Sequence, residues 1–239
     1  MLFRREMIAV PSIVTIRFEL NPVSTLTNAL IIAYNEQGWL DGADQTLRAF
    51  MENLSPEKRA IHNLVYGFFS SAIPHVGSMS FPDFLKDFAT RDATQLRDHA
   101  IHWFPQVEGF PGFEAILNNR ETFVEFVGQL ATLKGFEHED DEARRGYEYL
   151  IDPVRLKDMM LSHMTFVWNA VLQKEWRKHE TSLRQCVETH QQHNYSTFHT
   201  SFEAVEAVTG RDMRNSEKDE ICSGALSEPC LRPPPPYLG

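Results

Sequence analysis

Cysteine is scarce in this chain. Cys186, Cys222 and Cys230 are the three among 239 residues, an odd number with no CxxC spacing. A disulfide framework is therefore not expected, and a reducing cytosol is the expected compartment. Long apolar runs are also lacking. No stretch approaches the roughly 20 residues of a membrane-spanning helix. Pro11 and Ser12 interrupt the apolar residues after Met7 too early for a secretory signal. Positive charge is in the minority, with 23 Lys and Arg against 33 Asp and Glu and a net charge of −10. Such a balance argues against the chain alone coating a nucleic-acid backbone. The common chemical motifs are missing as well: there is no GxGxxG or Walker-type loop and no GxSxG. These absences predict a cytoplasmic protein with no membrane partner, no cofactor and no enzymatic activity.

What is present is material for a helical core. Hydrophobic residues make up 42% of the chain and aromatics 11%, with 17 Phe. The stretch from Asp152 to about His190 predicts one long helix. Asp152 suits the N-cap and Pro153 the first helical position. Leu156, Met160, Met164, Val167, Val171, Leu183 and Val187 recur at helical spacing, and no Gly or Pro interrupts them. A helix of this length serves as a spine against which shorter ones pack.

Ahead of it, Ile13 to Leu20 alternates apolar and polar residues and predicts a half-buried strand. A single strand must pair, either with the weak candidate Glu220 to Leu231 or with a second copy of the chain. Asn21-Pro22, Ser55-Pro56-Glu57 and Ser80-Phe81-Pro82-Asp83 are helix starts. Ile61, Leu64, Val65, Phe68, Phe69 and Ala72 form the buried stripe of the helix that begins at Ser55. Further helices are expected around Leu47, Leu96 and Phe123, and over Ala143 to Ile151. Pro105 to Gly112 reads as a loop, and the acidic run Glu137 to Glu142 as a solvated loop entering a helix N-terminus, where negative charge is favoured. A short helix is expected over Thr197 to Val208. The fold class is thus mainly α: a helical bundle around one long C-terminal helix, with a single N-terminal β-strand. The expected organisation is an N-terminal tail over 1–12, a helical domain over 13–212, and a Pro-rich tail or linker over 213–239.

Few residues suggest a site. His179 and His190 share a helix face, with His193 and His199 close behind, but no Cys or carboxylate joins them at a ligand spacing. His179-Glu180 opens like HExxH, yet Leu183 stands where the second His belongs. No metal site is expected. Cys186, near the apolar face, reads as a buried inert thiol. Trp103, Trp168 and Trp176 are the candidates for lining an apolar ligand pocket between helices. The simpler reading is that they pack inward as core.

Phe166-Val167-Trp168 followed by Glu175-Trp176-Arg177 resembles the long helix of a bacterial group of ArsR-type transcriptional regulators. Ile16-Arg17-Phe18-Glu19-Leu20-Asn21-Pro22, Leu54-Ser55-Pro56-Glu57 and Ala207-Val208-Thr209-Gly210-Arg211-Asp212 resemble other stretches of the same group. So does Pro236-Tyr237-Leu238-Gly239. The resemblance implies a helical regulatory or dimerisation domain that precedes a winged helix-turn-helix. No stretch of this chain reads as that winged helix. Three partners are expected: a second copy of the chain as homodimer, a small-molecule effector, and DNA reached only through a winged-helix unit that the chain does not contain. The alternative is a stand-alone small-molecule binding protein with an aromatic pocket.

Overall fold

A computed structural model of the chain describes residues 19–34, 45–74, 76–134 and 140–192. Among them, every regular element is helical. The first six residues of the expected strand lie outside the described residues, and Glu19 and Leu20 carry no regular structure. The expected helix at Thr197 to Val208 and the Pro-rich tail also lie outside them.

Several helix starts are capped by short polar side chains, those at Asn21, Ser55 and Ser80 as their sequence signals predict. The side chain of Asn21 accepts from the Ser24 N–H at the head of α1 (Pro22–Tyr34). After α2 (Gln45–Glu52), Ser55 caps α3 (Pro56–Asn63). Ser80 caps α4 (Phe81–Thr90) and Asp92 caps α5 (Ala93–Ile101). Each such cap is worth about 1 kcal/mol. Arg59 adds a cap of the opposite kind, donating to the Met51 and Glu52 carbonyls at the end of α2 at 3.0 and 3.2 Å.

Two elements differ from expectation. A short helix, α6 (Phe113–Asn118), stands between the Pro105 to Gly112 loop and α7 (Arg120–Lys134). Gly112, at φ 100°, turns the chain into it in a conformation that side chains disfavour. The acidic run is helical in its second half: Asp140, Asp141 and Glu142 form the first turn of α8 (Asp140–Leu150). Negative charge is favoured there by the unpaired N–H groups of the helix start.

The long C-terminal helix is present but not uniform. It consists of α9 (Pro153–Val167), a π-helical turn (Trp168–Leu172) and α10 (Gln173–Gln192), with Asp152 accepting from the Arg155 N–H at 3.0 Å. The reason lies in its buried residues. Leu156, Met160, Met164, Trp168, Leu172 and Trp176 are all buried and recur every fourth residue. In a regular α-helix a four-residue step overshoots a full turn by about 40°, so five steps would swing Trp176 about 200° from Leu156. The π-turn inserts one extra residue and takes back about 100° of that drift. It keeps Leu172, Glu175 and Trp176 inside.

Another π-turn (Leu64–Phe68), the first in chain order, continues α3, closed by the Phe69 N–H on the Leu64 carbonyl at 2.7 Å. It buries three consecutive residues, Leu64, Val65 and Tyr66. Ile61 and Phe68, expected on the buried stripe, are only half-buried.

Residues Asn21–Trp176 form one compact unit. In it α9 packs against α3, α4, α5 and α8, α7 packs against α6 and α8, and α1 packs against α2, α4 and the first π-turn. The core is aromatic: Phe69, Phe81, Phe84, Phe88, Phe104, Phe123 and Phe126 are fully buried. The described residues outside this unit are Glu19, Leu20 and 177–192. Of these, α10 shows an i,i+4 ion pair between Arg184 and Glu180 at 2.7 Å. Leu183 and Val187 there are half-buried rather than core, and so is Cys186.

Candidate functional site

Burying an imidazole in an apolar bundle is costly unless its nitrogens find partners. Two histidines of the compact unit are buried all the same. His62 closes α3, and its side chain has no exposure to solvent; His163 lies on α9 among Met159, Met160, Met164 and Val167, 5% exposed. Because α3 packs on α9, the Nδ1 of His62 and the Nε2 of His163 meet at 3.0 Å. The imidazole planes cross at 77°. Tyr66, one turn after His62, completes the cluster. Its ring centroid is 4.6 Å from that of His62 and 5.9 Å from that of His163.

The cluster is uncharged at neutral pH. Burial pushes the His62 pKa from 6.5 down to about 3, helped by His163 and, more weakly, Arg59, and opposed by the Leu30 carbonyl. Burial likewise lowers His163 to about 4, with Lys58 adding repulsion. Both are therefore neutral imidazoles, and one shares its single N–H with the other. Burial raises the Tyr66 phenol, so it too stays protonated.

Hydrogen bonding is left incomplete. The Tyr66 hydroxyl, the His62 Nε2 and the Asn63 Oδ1 are buried and have no hydrogen bond. The Leu30 backbone carbonyl lies beside His62 and opposes its pKa depression. On the outer side, half-buried Phe166 lies 6.0 Å from His163 and 5.9 Å from Phe50, centroid to centroid. The Lys58 ammonium sits 3.9 Å above the Phe166 ring. Two aromatic rings, Tyr66 and Phe166, thus border the histidine pair, with Phe50 and the Lys58 ammonium against Phe166.

Both π-turns belong to the helices that carry the cluster. Tyr66 lies within the first, which begins two residues after His62. The second begins at Trp168, five residues after His163. Interruptions of this kind are uncommon and recur at functional sites.

The tryptophans singled out by sequence are dispersed. Trp168 is buried and stacks on Phe81 at 5.1 Å and 14°. Trp176 is buried, while Trp103 is half-buried and edge-on to Phe104 at 4.9 Å. Trp103 and Trp168 have different aromatic neighbours, and neither pairs with the histidine cluster. His179 is half-buried on α10, whereas the side chains of His190, His193 and His199 lie outside the described residues, as do Cys222 and Cys230. Among the described residues, no group of three or more His, Cys, Asp and Glu side chains could hold a metal ion. No described helix is long and apolar enough to cross a membrane.

Sequence reasoning missed His62, Tyr66 and His163. The available signal was an ionisable residue on each buried stripe: His62 four residues before Tyr66, and His163 between apolar neighbours on the spine. Comparison with protein-family models, with curated proteins and with solved structures finds no match.

Proposed function

We propose that the helical unit is the effector-sensing and dimerisation domain of an ArsR-like transcriptional regulator, acting by binding rather than catalysis. The ArsR-like part of this reading rests on the sequence resemblance around Phe166-Val167-Trp168 and Glu175-Trp176-Arg177; the effector-sensing part is motivated by the buried, uncharged His62–Tyr66–His163 cluster on two helices that each carry a π-turn. An incompletely bonded polar cluster costs stability in an apolar core. A molecule that completes its hydrogen bonds would favour one winding of these helices over another. Converting the turn at Trp168–Leu172 to regular α-helix rotates the helix beyond it by about 100° and shifts it by about 1.5 Å. Coupling between the cluster and this register is the proposed regulatory step. A connected winged-helix unit would read it on DNA.

The test is a fusion. The full chain is joined to a monomeric winged-helix unit whose operator requires two copies, and reporter repression is measured alongside the mass in solution. Restored repression with a dimeric mass is the expected result. Repression no better than that of the lone unit, with a monomeric chain, would remove the dimerisation role. A stand-alone binding protein is the second reading, favoured by the Phe81–Trp168 stack as an aromatic wall. It takes first place if a ligand quenches tryptophan fluorescence in a chain that does not dimerise.

A further inference from the structure

We propose that the aromatic corner of Trp103, Phe110 and Phe113 docks the arginine-proline run 232–236 of a second copy of the chain. The proposal rests on the reading of this protein as a dimer and names a surface that joins the two copies. Its starting point is exposed aromatic area. Four large apolar side chains among the described residues are exposed: Leu133, Ile151 and Val154 are aliphatic, and Phe113, at 40%, is the one aromatic. Its ring lies 5.0 Å from that of half-buried Phe110. Phe110 and half-buried Trp103 both pack against the buried Phe104, at 6.3 and 4.9 Å. Exposed Pro111 lies between Phe110 and Phe113 in the chain. Backbone bonds hold the loop in place: the Gln106 N–H donates to the Trp103 carbonyl at 3.0 Å, and the Phe110 N–H to the Val107 carbonyl at 3.2 Å. A surface fixed in this way carries little ordering cost when a partner arrives.

Chemistry names the occupant. Among the described residues, the Trp103 indole N–H has no protein acceptor, and the exposed carboxylates of Glu108 and Glu114 have no ion-pair partner. Flat aromatic rings, an indole donor and negative charge together suit a proline-rich segment that carries a basic residue. Proline rings lie on aromatic faces, and a proline run is extended before it binds, so little entropy is lost. Its carbonyls are not used by N–H groups of its own and can accept from an indole. The sequence holds one run of this composition, Arg232-Pro233-Pro234-Pro235-Pro236-Tyr237. Arg232 supplies the positive charge that Glu108 and Glu114 call for. An acidic segment would meet like charge at the same two residues, and an aliphatic one would leave the indole without an acceptor.

The experiment follows a fluorescein-labelled peptide of residues 231–239 by anisotropy on the full chain, and the mass of the chain by light scattering. The peptide is expected to bind saturably, several-fold more tightly at low salt than at high salt, and in excess to convert dimer to monomer. Phe113→Ser is expected to weaken the peptide about tenfold and Glu114→Lys several-fold. Both positions are exposed, so circular dichroism should stay helical while the mass shifts toward monomer. No saturable peptide binding, or an affinity unchanged in both variants, would overturn the assignment. So would a dimer whose mass ignores both variants and excess peptide, because its contact would lie elsewhere. A monomeric chain that still binds the peptide would give the corner a different proline-rich partner and overturn the second copy as its occupant. If the peptide fails while the fusion still dimerises, this surface falls and the regulatory reading stands. If the chain and the fusion are both monomeric, the dimerisation role falls with it.

Discussion

At the scale of single residues, the histidine pair and Tyr66 set what can be measured. Tyr66 keeps a buried hydroxyl without a hydrogen bond, and such a group costs about 1–3 kcal/mol. Tyr66→Phe removes the hydroxyl and keeps the ring. It is expected to raise stability by about 1 kcal/mol in denaturant unfolding; a loss of that size would mean that the hydroxyl is paired in solution. The histidines make stability depend on pH. Their folded pKa values, about 3 for His62 and about 4 for His163, lie below the ordinary 6.5. Between those values the unfolded chain binds protons that the folded chain refuses, so stability rises with pH across the window. The contribution is fully present above pH 6.5 and is lost as pH falls toward 4 and then 3. Each histidine contributes a slope of about 1 kcal/mol per pH unit. Replacing the pair with His62→Leu and His163→Met together should flatten the profile between about pH 6 and 4, read from urea midpoints. An unchanged slope would assign the dependence to other groups.

At the scale of elements, the π-turn in the spine is the feature on which the proposed regulation depends. Its extra residue reconciles a four-residue repeat of buried side chains with helical geometry. Asn169 and Ala170 are the exposed residues of that turn. Deleting Asn169 should restore a regular α-helix and leave the flanking buried residues in register. The deletion variant is expected to fold with helicity unchanged and stability within about 1 kcal/mol of the parent or above it, because π-turns are the less stable winding. If the turn is the coupling element, repression by the fusion should then no longer respond to effector. Collapse of the fold on deletion would show instead that the π-turn is required by packing.

At the scale of the whole molecule, the compact unit Asn21–Trp176 already contains the cluster, the spine's buried face and the aromatic core. The proposed sensing requires no more than this unit, whereas dimerisation and DNA control require partners. The fusion is expected to restore repression through pairing of two chains, and light scattering on the same sample checks the pairing directly. The net charge of −10 belongs to this scale too. It disfavours direct contact between the chain and phosphate backbones.

The sequence alone determined where helices begin and which class of fold results. Asn21, Ser55, Ser80 and Asp152 are local signals, readable because a cap needs only a side chain and an N–H two or three residues away. The apolar stripe of the spine was legible for the same reason. Its π-turn was not, although the four-residue repeat from Leu156 to Trp176 foreshadows it, because a uniform helical period was assumed throughout. Helix α6 was missed because six residues carry too little periodicity to register. The candidate site was the least legible part. His62 and His163 are 101 residues apart in the chain, and no local pattern reveals that α3 and α9 pack face to face. Only that packing made two unremarked histidines neutral, buried partners and left Tyr66 beside them without a hydrogen bond.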